Sequence, residues 1–71
     1  MSEHAEARRR RAAADNAVRQ TIIALNAAGA ALLAGREHYP EAAQELATAL
    51  RDDITTMVGD VEALLSVIHG R

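Results

Sequence analysis

The residues best equipped for chemistry are four consecutive arginines, Arg8, Arg9, Arg10 and Arg11, with Arg19 further along. Guanidinium groups grip phosphates through forked N–H donors, so the run is a candidate contact for nucleic acid. Two features weigh against that reading. Successive helical residues are turned by about 100°, so four in a row encircle a helix instead of lining one face. No aromatic side chains are interleaved for base stacking, since Tyr39 is the only aromatic residue of the chain. The sequence favours a different use. In a helical hairpin the basic start of the first helix lies beside the end of the second, where free carbonyls carry partial negative charge. Asp60 and Glu62 are expected nearby.

His4 and His69 are expected at that same end with Glu3 and Glu6. Two imidazoles and a carboxylate can hold zinc. The chain has no His-x-x-x-His or Glu-x-x-His pair, however, and His38 reads as a solvated turn residue. Cysteine is absent, which removes thiolate ligands, thiol nucleophiles and disulfides together. There is no glycine-rich phosphate loop and no Gly-x-Ser-x-Gly elbow, and Ser2 and Ser66 are the only serines. Asp52 and Asp53 are adjacent and therefore diverge on a helix as a solvated face, with Asp53 placed to pair with Arg19 across a hairpin. Glu41 and Glu45 share a face but have no second acidic pair opposite. The sequence therefore predicts no enzyme, no cofactor and no metal.

The elements that carry these residues are helical. Alanine, the best helix former, is the commonest residue, and no alternating β-branched run or Asn-Gly hairpin turn occurs. In the C-terminal half Leu50, Ile54, Met57, Val61, Leu64 and Ile68 are spaced 4-3-4-3-4, the repeat by which one helix lays an apolar edge on another. In the N-terminal half Val18, Ile22, Leu25, Gly29 and Leu32 repeat 4-3-4-3. These eleven positions are the expected helix-packing and oligomer interface. Ile23, Leu33, Val58 and Leu65 widen the two stripes. Gly29 sits on the seam, either to let a neighbouring helix approach or as a tolerated cost of about 1 kcal/mol against alanine.

The boundaries follow from local signals. Ser2 is the expected cap of helix one, at about 2–34, with Glu3 and Glu6 at its positive end. Gly35 is expected to stop it in a left-handed conformation. The connection is 35–39, and Pro40 fits the first position of helix two, at about 40–69, capped by Gly70. The repeat continues through Gly59, which predicts one helix; a break with Asp60 as a new cap is the alternative. The fold class is all-α: one domain, 1–71, a two-helix antiparallel hairpin.

Size and charge say how such a hairpin persists. Seventy-one residues rarely stabilise a core unaided; with disulfides excluded and three scattered histidines thin for a structural metal, oligomerisation or docking on a larger protein remains. The apolar stripes exceed what one neighbouring helix can cover, so two hairpins are expected to dimerise into a four-helix bundle. The net charge of −2 divides into a basic first twenty residues and an acidic stretch from Arg36 onward, with Gln20–Gly35 uncharged between them. That uncharged stretch is short for a membrane span of about 20 residues and holds Gln20, Thr21 and Asn26, so no membrane role is expected and the location is taken as cytoplasmic. Arginine supplies all eight basic residues, which with the alanine content suggests a GC-rich bacterial or phage genome. The expected function is a small non-enzymatic protein–protein interaction module, a regulator, adaptor or phage-type inhibitor, whose partner is a second copy, a larger protein or both. The competing function is a nucleic-acid-binding regulator using Arg8, Arg9, Arg10, Arg11 and Arg19.

Overall fold

The computed structural model describes residues 2–70, with the side chain of Ser2 excepted, so the expected Ser2 cap lies outside the described residues. Helix α1 is Ser2–Ala34, a single 3₁₀ turn covers Arg36–His38, and helix α2 is Glu41–Ile68. The helices pack as an antiparallel hairpin, a slab whose Cα atoms extend 60 × 18 × 10 Å. The slab is one helix thick, so each helix has one neighbour and two broad faces stay open.

The connection departs from the sequence expectation in two places. Gly35 is right-handed, with φ −85 and ψ −7, because the chain continues from α1 into the 3₁₀ turn without reversing. Glycine is still favoured there for a steric reason: a Cβ would stand 2.8 Å from the Tyr39 hydroxyl oxygen. Pro40 is the residue before α2, not its first, with φ −54 and ψ 152. Tyr39 is extended, at φ −89 and ψ 148, the conformation that a following proline enforces. The Gln44 backbone N–H donates to the Pro40 carbonyl at 2.9 Å and its side-chain Nε2 donates to the Tyr39 carbonyl at 2.9 Å. Gln44 thus fixes the entry to a helix that lacks a side-chain cap.

At the far end Gly70 takes φ 77, the left-handed region open to glycine, and its N–H donates to the Val67 carbonyl at 3.0 Å. Gly59 lies within the unbroken α2, and nothing stands within 4 Å of where its Cβ would be. Gly29 is buried in the seam beneath α2, where a Cβ would meet Ile54 at 3.7 Å and Arg51 at 3.8 Å. Those are ordinary contact distances, so alanine fits and the hairpin does not depend on a bare backbone at that position.

The inner face of α1 follows the predicted repeat: Val18 and Gly29 are buried, and Ile22, Leu25 and Leu32 are half-buried. The inner face of α2 is a correction. It runs Ala47, Arg51, Ile54, Val58, Val61, Leu65 and Ile68, all buried or half-buried. Ile54, Val61 and Ile68 belong to the predicted stripe, whereas Leu50, Met57 and Leu64 are exposed. The apolar arc of α2 is broader than one neighbour, and α1 docks toward its edge, where Arg51 lays its stem over Gly29. What results is barely a core: among the described hydrophobic residues only Val18, 7% exposed, and Ala47, 5% exposed, are buried.

Candidate interaction surface

The two broad faces of the slab differ in chemistry. On one face, shallow grooves between the helices place Arg19 and Ile23 beside Glu62 and Leu65, and Leu33 beside Gln44. Thr48, Arg51, Thr55 and Ser66 turn toward the same side by helical geometry. This face is polar, with Ile23 and Leu33 as its large exposed apolar side chains.

The opposite face follows from the same rotation of about 100° per residue. From α2 it presents Leu46, Leu50, Met57 and Leu64, which are 60%, 43%, 48% and 51% exposed. From α1 it presents a lane of small residues, Ala17, Thr21, Ala24, Ala28 and Ala31, all exposed. Thr21 belongs there because its hydroxyl donates to the Ala17 carbonyl of its own helix at 2.9 Å, which satisfies its polar atom within α1. Asp53 and Asp60 stand at the outer edge of the leucine row. The surface is thus an apolar ridge on one helix beside a shallow trough on the other.

The total exposed area shows how little of the chain is enclosed. The chain of 7.6 kDa exposes 5484 Å², whereas a compact monomer of that mass exposes about 4,300 Å². The excess of about 1,200 Å² is shared between the open faces of the hairpin and the first turns of α1, which extend past the end of α2.

Among the described residues one polar side-chain contact links the helices. Asp15, half-buried on the inner side of α1, accepts from Nε2 of His69 at 2.6 Å and from Nε of Arg19 at 2.8 Å. The Arg19 hydrogen bond, followed by that of His69, holds the Asp15 carboxyl below the usual carboxylate range. In return Asp15 raises the pKa of Arg19. The sequence reading missed this pair, although the signal was present: stepping the α1 repeat back from Val18 by three reaches Asp15, and stepping the α2 repeat on by four from Leu65 reaches His69.

The contact also fixes how far the arginine run reaches. Asp15 is level with the last turn of α2, so Arg8–Arg11 lie beyond that helix and not alongside Asp60 and Glu62. All four arginines are exposed. Arg10 is 3.5 Å from Glu6 of its own helix, and among the described residues no ion pair joins the run to Asp60 or Glu62. That corrects the expected bridging. Arg8 and Arg11 do turn to one side, where with Arg19 and His69 they line an open groove around Asp15. The expected Arg19–Asp53 pair is absent for the same reason of level: Arg19 sits near Leu65, far along α2 from Asp53.

His4 is eleven positions from Asp15, about 16 Å along the helix, so it does not meet His69. No group of three potential metal-ligating side chains forms among the described residues, nor is any polar side chain buried there. Helix α1 contains a window long and apolar enough to cross a membrane by length and composition, of which 11% is buried in the hairpin. No protein-family model, curated protein or solved structure matches the chain.

Proposed function

We propose that the protein is a small non-enzymatic protein–protein interaction module that works through its apolar helical surface and self-associates into a four-helix bundle. The observation that carries this reading is the exposed row Leu46, Leu50, Met57 and Leu64 on a hairpin that buries only Val18 and Ala47 among its described hydrophobic residues. A monomer leaves this row in water, and covering it stabilises the chain by about 25 cal/mol for each Å² of apolar surface removed from water. The test is the mass of the particle in solution with the row intact and with Leu64→Asp. The intact chain is expected as a multimer, and the variant as a species of lower mass.

A second reading rests on a separate observation. Arg8, Arg11 and Arg19 share one groove with His69, which gives phosphates a one-sided contact that the bare run lacks. Its test is duplex binding as salt is raised. Binding that falls with a log–log slope of about −0.9 per phosphate contacted, and that is lost in Arg8→Gln/Arg11→Gln, supports nucleic acid as the partner.

A further inference from the structure

We infer that the occupant of the apolar face is a second copy of this chain, docked so that the leucine row of each α2 lies in the alanine lane of the other copy's α1. This rests on the self-association proposed above and specifies its geometry. Three observations carry it. The first is exposure: Leu46, Leu50, Met57 and Leu64 lie uncovered on one face of the hairpin, and a second copy presents an equal face to cover them. The second is shape. Large side chains of α2 stand beside small ones of α1 on the same face, and only a swap of the two helices sets ridge against trough. A two-fold axis parallel to the helices makes that swap and keeps every residue at its own level. Asp15 against His69 and Gly29 against Arg51 and Ile54 fix those levels. Leu64 then comes opposite Ala17 and Thr21, Met57 opposite Ala24, and Leu50 opposite Ala31.

The third observation is charge. The rival two-fold, perpendicular to the helices, stacks α2 on α2 and gathers Asp53 and Asp60 of both copies along one edge. Like charges held together are destabilising. In the swapped arrangement those acids lie on opposite edges of the dimer, each over the uncharged Gln20–Gly35 stretch of the other copy's α1. Ridge in trough also brings both polar faces outward, so the groove of Arg8, Arg11, Arg19 and His69 stays accessible on each copy.

The chain has no cysteine of its own, so introduced cysteines report the arrangement by oxidation. Ala24→Cys/Met57→Cys is expected to give covalent dimers, and neither single variant is. A second pair, Ala17→Cys/Leu64→Cys, repeats the test at the other end should the first pair weaken folding, with helicity read by circular dichroism for both. Ala30→Cys/Thr55→Cys, on the polar face, is expected to stay unlinked. Covalent dimer from Met57→Cys alone overturns the swapped arrangement in favour of α2 on α2. Linkage of the Ala30/Thr55 variant in place of the others overturns the choice of face. A folded wild-type chain at 7.6 kDa by light scattering overturns self-association itself, and a larger mixed complex with no dimer shows that the occupant is another protein.

Discussion

His69 donates from Nε2 to the Asp15 carboxylate at 2.6 Å across 54 positions of chain, and this contact pins the open end of the hairpin. Asp15 binds its proton more weakly in the folded chain than in the unfolded one, so stability falls as acid is added. The contribution is whole above about pH 4, the ordinary carboxylate value, and is lost as pH drops through the lower folded value. Asp15→Asn is expected to melt below the wild type at neutral pH and to converge on it in acid, as read by thermal melts at several pH values. A gap that persists undiminished in acid would contradict the assignment.

Gly59→Ala is expected to stabilise the protein by about 1 kcal/mol, because alanine is the better helix former and its Cβ enters open space. Gly35→Ala is expected to act in the opposite direction. Its Cβ stands 2.8 Å from the Tyr39 hydroxyl oxygen, so the ring must swing away. Tyr39 is the only aromatic residue, so its fluorescence and near-ultraviolet dichroism report the displacement directly.

Two aspartate substitutions separate the inside of the hairpin from its outer face. Ile54→Asp places a charge in the intramolecular seam and is expected to abolish most helicity, at a cost on the order of 2–5 kcal/mol. Leu64 is 51% exposed in the single hairpin, so Leu64→Asp is expected to lower the particle mass first and helicity only as a consequence. Particle mass and helicity recorded on the same samples distinguish the two, because only Leu64→Asp is expected to lower mass ahead of helicity.

The contrast between those residues shows how far the sequence could be read. The two helices, the break between them and the inner face of α1 follow from propensity and spacing, because α1 carries a single narrow stripe of large apolar residues flanked by alanine. In α2 the stripe is broader, and spacing locates the centre of an apolar arc but not the side on which a neighbour will settle. Leu50, Met57 and Leu64 therefore looked internal, while Arg51 and Val58 took that place. Arg51 had no signal as a packing residue, since its charge hides an aliphatic stem able to cover glycine. The arginine run was misplaced for a related reason: its level depends on where the turn lies and how the helices slide, neither of which periodicity contains.

If the arginines serve phosphates, Arg8→Gln/Arg11→Gln is expected to abolish duplex binding with the melting temperature unchanged, because neither side chain is ion-paired across the hairpin. A marked loss of stability in that variant would instead assign them to the carbonyl end of α2.

The most direct test of the account is the mass of the purified chain by light scattering at micromolar concentration, with helicity recorded on the same sample. A helical particle of twice the chain's 7.6 kDa is expected, one that dissociates and loses helix together on dilution. A stable, fully helical particle at the mass of a single chain would contradict it.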